Sequence, residues 1–391
     1  MTGAGEGGSA VGRHGPQGSR FDGPRSAFYW FYFSALGALL PYWPLYLRAR
    51  GFGPRALGDL MALLALSRIV APHAGGYLSD RFGHKMAVVR VAALLALLLF
   101  LLIVVAHGFL AVGAVMMGFS FFWYATLPPL EASTLATHGD RYGRIRLWGS
   151  VGFIVVVLGL GPWLDRAGPA IVVPVIAVLL LGLWLTTLRL PPLAPTAPPP
   201  RALSLKPGLA PFLGACFLMQ VSFGPYYTFY SVYLAHYGYD KTTIGILWAL
   251  GVICEILIFW QAPRLFARFR DRPLFAFAFA LAVARWLAIA LFPRSWPVLV
   301  VAQTFHAITF GLYHAVAVRL AAAYVGGAGR SRAQAFYGSA AGAGAAVGAA
   351  LSGYLWAAVG PQGMFIAAAL VAALAWVVVV AVLPAVERHV P

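Results

Sequence analysis

Twelve apolar stretches, each of about 20 residues or more, make up most of this 391-residue chain. A helix of about 20 apolar residues crosses a hydrocarbon core about 30 Å thick, so each stretch is long enough for one crossing. A membrane barrel would need short alternating strands, whereas these stretches are continuously apolar. With 61% hydrophobic and 10% charged residues, the chain is not an ordinary soluble enzyme. The stretches run over 27–49, 56–79, 86–107, 109–136, 145–164, 169–188, 209–236, 242–262, 274–293, 296–323, 334–357 and 361–383.

A proline-rich segment after the sixth stretch, PPLAPTAPPP, divides the chain into two halves. Proline at this density cannot continue a helix and is typical of a semi-rigid linker. We therefore predict an N-terminal six-helix bundle at 26–190, a cytoplasmic linker at 191–208 and a C-terminal six-helix bundle at 209–385. Residues 1–25 are rich in Gly and Ser and contain no apolar run, which predicts a disordered tail rather than a secretory signal. Residues 386–391 form a second tail.

The two halves are similar in sequence. When the second half is shifted by 187 residues, PLYLRARGFGPRALGDLMAL aligns with SVYLAHYGYDKTTIGILWAL without a gap, and seven of the 20 positions are identical. Two of the identities are the glycine pairs Gly51/Gly238 and Gly58/Gly245. A shift of 189 aligns LWGS with FYGS. These matches indicate a parallel repeat of six plus six helices, an arrangement found in transporters.

The basic residues predict the orientation of the chain in the membrane. A formal charge of +17, from 28 Lys and Arg against 11 acids, would suggest nucleic acid binding in a soluble protein. Here 19 basic residues lie in or next to segments that are inside if the N-terminus is inside, and Arg146, at a helix entrance, is counted among them. Six lie in or next to outer segments, and the other three, Arg68, Arg285 and Arg319, lie within stretches. Because basic residues accumulate on the cytoplasmic side, we predict that both termini are cytoplasmic. We also predict a multi-pass protein of a bacterial-type inner membrane, without nucleic acid as a partner.

The loop after the second stretch reads GYLSDRFGHK (76–85). It resembles the major facilitator loop motif G-x-L-a-D-r-x-G-r-k, with His84 in the next-to-last place. The resemblance implies an all-α membrane protein, with twelve transmembrane helices as two pseudo-symmetric bundles that alternate access to a central cavity. In that family the loop acts in conformational gating. The candidate gating residues are Gly76, Asp80, Arg81, Gly83 and Lys85.

Further segments narrow the resemblance. FYFSALGALLPYWPLYL (31–47), YGRIRLWGSVGF (142–153) and GVICEILIF (251–259) resemble the phenylpropionate permease group, which is related to the oligosaccharide:proton symporters and lactose permease. The resemblance implies a proton-coupled symporter that imports a small organic solute, with aromatic carboxylates such as phenylpropionate as the favoured class. A sugar, oligosaccharide or nucleoside symporter is the alternative. A drug efflux antiporter and a non-transporting receptor are less favoured.

Six ionisable residues stand out inside the apolar stretches, where a charge costs several kcal/mol and therefore needs a partner or a function. Glu131 is about ten residues, or about 15 Å, from the loop at Arg141, and Glu255 is about 20 Å from Arg268. Both carboxylates are therefore predicted near mid-membrane. Embedded Arg outnumber embedded acids by four to two, which favours an anionic substrate. The six residues are Arg68, Glu131, Arg146, Glu255, Arg285 and Arg319.

The resemblance to lactose permease assigns the substrate site. By motif, Glu131 in PLEAS and Arg146 in GRIRLWGS take the places of the permease residues that hold the sugar, and Phe153 takes the place of the aromatic that stacks on it. A structural ion pair between helices is the alternative for Glu131 and Arg146. Arg68 either supplies charge for an anionic substrate or pairs with Glu131. Tyr227, in an aromatic run, is a further candidate for lining the cavity.

Arg285 and His306 match the Arg and His of the permease's coupling network. The permease has its proton-carrying Glu three residues after that His, where this chain has Thr309. We therefore predict Glu255 as the substitute proton carrier, with Arg285 or His306 as its partner. For each histidine the alternative is a hydrogen-bonded core residue. The candidate proton-coupling residues are Glu255, Glu131, Arg285, His306 and His314.

Other function classes lack sequence support. The chain has no H-E-x-x-H, no G-x-S-x-G with triad partners and no Walker A loop, so no enzyme activity is predicted. Its two cysteines, Cys216 and Cys254, lie inside apolar stretches and provide neither a disulfide framework nor a metal-ligand cluster. We expect the proton as coupling ion, with no metal and no other cofactor. The expected partners are a small-molecule substrate and the lipid bilayer, and the expected state is a monomer.

Overall fold

The computed structural model describes residues 22–82, 85–192, 204–326 and 330–383. Most of the predicted tail 1–25, all of the tail 386–391, linker residues 193–203 and Gly83 lie outside these residues. The described chain is helical apart from one short strand pair. Its α-helices are α1 (Gly23–Ala49), α2 (Pro54–Phe82), α3 (Lys85–Leu101), α4 (Gly108–His138), α5 (Tyr142–Ala167), α6 (Val172–Arg189), α7 (Leu209–Ser222), α8 (Gly224–His236), α9 (Lys241–Arg268), α10 (Asp271–Leu291), α11 (Trp296–Thr304), α12 (Tyr313–Tyr324) and α13 (Arg330–Val377).

Eight helical stretches in the described residues are long and apolar enough to cross a membrane. Six have 20 to 29 residues, which suits one crossing each. The other two, Gly108–Ala167 and Arg332–Val382, have 60 and 51 residues. The first joins α4 to α5 through the 3-10 turn Gly139–Arg141, and the second changes direction at Gly360, where φ is 76°. The protein is therefore an all-α, multi-pass membrane protein.

Glycines that the 187-residue shift aligns occupy equivalent turns. Gly51 follows α1 with a φ of 87°, and Gly238 follows α8 with a φ of 91°. A side chain is strained at such angles, whereas glycine adopts them freely. Both glycines therefore allow the chain to reverse direction and begin the next helix, at Pro54 and at Lys241.

The two halves of the chain, α1–α6 and α7–α13, touch toward one end of the helices. Gly58 of α2 is so close to α13 that a Cβ there would lie 2.9 Å from the carbonyl oxygen of Ala349. Gly245 of α9 is equally close to α5, and a Cβ would lie 2.6 Å from the carbonyl oxygen of Val157. Because glycine has no side chain, the backbones can approach closely at both places. We call this end, with Gly58, Asp165 and Gly245, the sealed end.

A carboxylate joins the halves at the sealed end. Asp165, near the end of α5, accepts hydrogen bonds from the backbone N–H groups of Lys241 and Thr242 at 2.9 and 3.0 Å, and from the Thr242 hydroxyl at 2.7 Å. The Lys241 ammonium lies 3.7 Å from the same carboxylate. The first N–H groups of a helix have no partner within the helix, and its positive end favours an anion. Asp165 thus caps α9 across the boundary between the halves.

The opposite end, where α4 ends at His138 and α9 ends at Arg268, is the open end. Within the described ranges, the hydrogen bonds and close glycine contacts between the halves lie toward the sealed end, and the one farthest from that end along α2 and α13 joins Ile69 to Gly342. Between this contact and the open end, no hydrogen bond or close glycine contact among the described residues joins the two halves, which leaves a space between them. We call it the central cavity.

The end of the predicted linker carries a strand. Ser204–Leu205 (β1) pairs antiparallel with Val325–Gly326 (β2), with Ser204 opposite Gly326. The Lys206 N–H also donates to the Tyr324 carbonyl at 3.0 Å. This pairing attaches the linker's end to the second half just before α7 begins.

Candidate functional site

Glu131 and Arg146, predicted from their motifs, meet beside the central cavity. Glu131 lies on α4 after Pro128 and Pro129, and the Arg146 Nε on α5 is 3.6 Å from its Oε1. The Tyr142 hydroxyl donates to the same oxygen at 3.1 Å. The side chains of Arg146 and Glu131 are 32% and 36% exposed, so neither partner of this ion pair is fully buried. A solute that enters the cavity can reach both partners.

An aromatic ring lies against Arg146, but it is not the one predicted. The guanidinium carbon is 3.8 Å from the centre of the Phe33 ring and 5.7 Å from that of Tyr29, both on α1. Gly149, one turn after Arg146, makes room for this stack, because a Cβ there would lie 2.6 Å from the Phe33 ring. Phe153, the predicted stacking aromatic, is only 6% exposed and belongs to the core.

A second charged cluster surrounds Arg285 on α10, which is completely buried. Its NH1 bonds to His306 Nδ1 and donates to the Thr309 hydroxyl, and its NH2 donates to Gln303 Oε1, each at 3.1 Å. The guanidinium carbon also lies 4.4 Å from the centre of the Tyr226 ring. A buried charge is tolerated only when it is well hydrogen-bonded, so these partners are structurally required.

His306 links Arg285 to Glu255. The His306 Nε2 lies 3.6 Å from Glu255 Oε2, and the side chains are 5% and 20% exposed. A guanidinium has no acceptor, so His306 Nδ1 must accept the bond from Arg285. A neutral His306 therefore carries its proton on Nε2, which faces the carboxylate. Glu255, His306 and Arg285 thus form a chain of acid, imidazole and guanidinium.

The helix that carries His306 is irregular at this point. A π-helix at Ala307–Leu312 follows His306 and separates α11 from α12. Gly311 in this segment faces α9, where a Cβ would lie 3.2 Å from Glu255 Cγ. Single π-helical turns occur often at functional sites, because the extra residue redirects the side chains that follow. Nothing in the sequence pattern indicated this turn.

The side chains of Arg68, on α2, and His314, on α12, are exposed. In the part of the chain that the structure describes, Arg68 forms no hydrogen bond or ion pair, and Glu131 pairs with Arg146 instead. His314 Nδ1 is 3.0 Å from the Tyr337 hydroxyl. Tyr227 is half-buried, with its ring stacked on Phe223 at 5.6 Å. Arg68 and His314 therefore carry polar groups that a solute can contact.

The remaining predicted residues lie nearer the open end. Gly76, Asp80 and Arg81 are in the last turns of α2, and Lys85 begins α3. Arg319 donates to Asp271 at 3.0 Å and lies 4.5 Å from the centre of the Phe266 ring. Arg319 therefore has a local partner and does not belong to either charged cluster.

Comparison with known proteins gives the family. Residues 25–367 match the model of the MFS_1 like family, which is most of the chain. The chain belongs to this family. It is a membrane transporter with the major facilitator fold, as the loop motif predicted.

Two curated relatives of this MFS_1 like transporter are themselves permeases. The "Probable 3-phenylpropionic acid transporter" of Escherichia coli is 29% identical over 362 residues, covering 88% of this chain and 93% of the relative. The maltose permease of Geobacillus stearothermophilus is 29% identical over 283 residues, covering 69% of this chain and 71% of the relative. The predicted resemblance to the phenylpropionate permease group is confirmed.

Solved structures share the fold of the MFS_1 like transporter at low sequence identity. Nucleoside transporter NupG matches with a TM-score of 0.79 at 17% identity, over 92% of this chain and 98% of NupG. A bacterial homologue of the human lysosomal transporter Spinster, inward-facing and unoccupied, matches with a TM-score of 0.71 at 14% identity, over 91% and 95% of the two chains. The fold is therefore common to transporters of different solutes.

The structure adds residues that sequence reasoning on this transporter missed. Phe33 and Tyr142 contact the first ion pair, and Gln303 and Tyr226 contact Arg285 or each other. None of them is ionisable at neutral pH, so none stands out in an apolar stretch. In the sequence they only belong to aromatic or polar runs, and such a run does not indicate which of its side chains contacts a charged group.

Proposed function

We propose that this transporter is a proton-coupled symporter that imports a small aromatic carboxylate by alternating access. The observation that carries the proposal is the chain of Glu255, His306 and Arg285, in which a partly exposed carboxylate contacts a buried imidazole that is bonded to a buried guanidinium. The Glu255 side chain can be ionised or protonated, and the net charge at the centre of the membrane differs between these two states. We infer that Glu255 carries the coupled proton.

The proposed architecture has twelve crossings. The 27 residues of α1 and the 29 of α2 are long enough to cross once each, in addition to the eight apolar stretches. The two longest stretches cross twice, with reversals near Gly139 and at Gly360. This arrangement makes two bundles, α1–α6 and α7–α13, joined by the linker. With both termini cytoplasmic in a bacterial-type inner membrane, the sealed end faces outward and the central cavity opens to the cytoplasm.

Charge balance supports coupling of a proton to an anion. With Glu255 ionised, its negative charge compensates Arg285 through His306. Protonation of Glu255 removes that charge and leaves the buried guanidinium uncompensated, which is unfavourable in a low-dielectric interior. An anionic substrate near Glu255 restores the balance. The conformational change therefore costs less free energy when the protein carries both the proton and the substrate than when it carries only one of them. This difference is the basis of symport.

Three observations support an aromatic carboxylate as the substrate. The relative that aligns over 93% of its length is named for 3-phenylpropionic acid. Arg68 offers an exposed guanidinium without a partner among the described residues. Phe33 provides a partly buried ring against the Arg146 guanidinium, and Tyr227 provides a second partly buried ring. Aromatic rings stack on such surfaces, while a carboxylate is recognised by guanidinium groups.

A sugar or nucleoside symporter is the second candidate. The Glu131–Arg146 pair is about one-third exposed and carries the Tyr142 hydroxyl and the Phe33 ring, a combination that binds hydroxyl groups and a sugar ring. A maltose permease also aligns with 69% of this chain. For this candidate, the embedded Arg residues need not outnumber the embedded acids.

Uptake into proteoliposomes tests the proposal. The purified transporter is reconstituted, and uptake of labelled 3-phenylpropionate, maltose and uridine is measured with the external buffer more acidic than the lumen and with both at equal pH. We expect 3-phenylpropionate to accumulate above its external concentration only with the pH difference, and a protonophore to abolish the accumulation. Accumulation of maltose or uridine alone favours the second candidate. No pH-driven accumulation of any of the three contradicts the proposal.

A further inference from the structure

We propose that Arg68 and His314 together hold the substrate carboxylate, one from each half of the chain, across the central cavity. This inference rests on the proposed aromatic-carboxylate substrate and adds which side chains bind it. The two residues lie on α2 and α12, far apart in sequence, and both have exposed side chains.

The first argument is the state of Arg68. It lies 14 residues after the start of α2, or about 21 Å along the helix, which is deep within a membrane about 30 Å thick. A guanidinium at that depth needs an anion or water. Within the described ranges no carboxylate pairs with Arg68, because Glu131 is held by Arg146 and Glu255 contacts His306. Arg68 therefore retains its five donors for a ligand.

The second argument is the position of Arg68. The next residue, Ile69, touches α13 so closely that a Cβ on Gly342 would lie 2.6 Å from Ile69 Cγ1. Among the described residues, this is the close glycine contact between the halves that lies farthest from the sealed end. Arg68 therefore lies next to a contact between the halves, and its exposed side chain is near the boundary between them.

The third argument is the environment of His314. Its Nδ1 is bonded to the Tyr337 hydroxyl at 3.0 Å, and Tyr337 lies five residues, or about 7.5 Å, from Gly342 along α13 toward the open end. His314 interacts electrostatically with Arg68, Arg146 and Glu255, which belong to both halves. When the Tyr337 hydroxyl donates to Nδ1, the imidazole proton is on Nε2, and that N–H is free to donate to an anion.

The other embedded arginines are less available. Arg285 is completely buried and three of its contacts are with its own half. Arg146 is bonded to Glu131 and covered by Phe33. A carboxylate has two oxygens with about four acceptor positions, so one oxygen can bind Arg68 while the other binds His314. A ligand held by both halves binds more tightly when the halves are close, which couples binding to closure of the cavity.

Binding measurements on the purified, full-length protein test the proposal. Calorimetric titration with 3-phenylpropionate is compared with titration with 3-phenylpropanol, which has the same ring and chain without the carboxylate. Arg68→Gln should weaken 3-phenylpropionate binding by about 10- to 100-fold and His314→Gln by about 3- to 10-fold. Binding of the alcohol should change less than about twofold in both variants, which also shows that they are folded. Arg68→Lys, which keeps the charge, should recover part of the loss.

A double variant tests whether both residues bind the same group. If Arg68 and His314 share the carboxylate, the loss in Arg68→Gln/His314→Gln is smaller than the product of the single losses. Arg264→Gln, at an exposed residue bonded to Gln261, is the matched control and should bind like the wild type. Wild-type affinity in Arg68→Gln, or losses that multiply fully, would overturn the inference. If the unmodified protein binds neither 3-phenylpropionate nor the alcohol, the proposed substrate class itself is wrong.

Discussion

The two charged clusters of this transporter differ in how much of their charge reaches the central cavity. Glu131 and Arg146 are each about one-third exposed, with the Tyr142 hydroxyl and the rings of Phe33 and Tyr29 as neighbours. Arg285 has no exposed surface, and its hydrogen bonds go to side chains of its own half. A solute can therefore exchange places with solvent at the first cluster, whereas the second responds mainly to the protonation of Glu255.

This difference suggests a division of labour. An exposed ion pair contributes little to stability, because water screens it, but it can rearrange around a ligand. A buried network contributes strongly when it is complete and becomes costly when one member changes charge. We therefore expect substitutions in the second cluster to affect stability and coupling, and substitutions in the first to affect affinity.

The largest effect is expected from Arg285→Leu. The substitution removes the three buried hydrogen bonds that join the guanidinium to Gln303, His306 and Thr309, so the free energy of unfolding should fall by about 3 kcal/mol or more. Reversible denaturation by SDS in detergent micelles measures this quantity. Arg319→Leu is the matched control, because Arg319 is 49% exposed, and it should cost less than about 1 kcal/mol. Equal losses in both variants would contradict the assignment of a structural network.

The next effect concerns His306, which links the carboxylate to the guanidinium. His306→Phe keeps a ring in place but removes both nitrogens, so it breaks the connection between Glu255 and Arg285 and protonation of Glu255 affects Arg285 less. Accumulation driven by a pH difference should fall at least about 10-fold, while exchange of labelled for unlabelled 3-phenylpropionate across proteoliposomes continues. Full accumulation in this variant would show that Glu255 acts without the imidazole.

A smaller effect is expected at the first cluster. Glu131→Gln keeps the shape of the side chain but removes the charge that holds Arg146. Apparent affinity for the solute should change by about 10-fold, with a change below about 1 kcal/mol in the free energy of unfolding. Concentration-dependent uptake and SDS denaturation measure the two quantities. A stability loss as large as that of Arg285→Leu would remove the distinction between the clusters.

The smallest effect is expected for Tyr142→Phe. This variant loses the hydroxyl that donates to Glu131 at 3.1 Å but keeps the ring. The apparent affinity should change by about threefold, because one partly exposed hydrogen bond contributes about 0.5–1.5 kcal/mol. The same uptake assay reports it, with Tyr354→Phe, an exposed tyrosine at the sealed end, as a control that should leave affinity unchanged. A larger change than in Glu131→Gln would mean that the hydroxyl itself contacts the solute.

The presence of an ionisable residue in an apolar stretch was enough to predict the charged residues of both clusters. Glu131, Arg146, Glu255 and Arg285 stood out because an ionisable group is costly in a membrane, and the structure pairs the first two and joins the others through His306. Apolar patterning likewise predicted the helical chain, since a membrane leaves few alternatives.

Other contacts depend on how the helices pack, which the sequence pattern could not predict. Phe33 and Phe153 are both aromatic residues near Arg146, and only the rotation of α1 against α5 places Phe33 on the guanidinium. Arg319 was expected among the embedded charges. It lies near the end of α12, which continues to Tyr324, and it bonds to Asp271 at the start of α10. The pairing of Ser204–Leu205 with Val325–Gly326 and the π-helix after His306 depend on contacts between distant segments, which no local signal encodes.

The central claim is that Glu255 carries the proton, and a ratio measured on Glu255→Gln tests it most directly. In proteoliposomes of wild type, Glu255→Gln and Glu131→Gln, accumulation of labelled 3-phenylpropionate under a pH difference is divided by the rate of exchange at equal pH. We predict that the ratio collapses in Glu255→Gln, because exchange continues without accumulation, and that it stays near the wild-type value in Glu131→Gln, where both quantities change together. A wild-type ratio in Glu255→Gln would contradict the account.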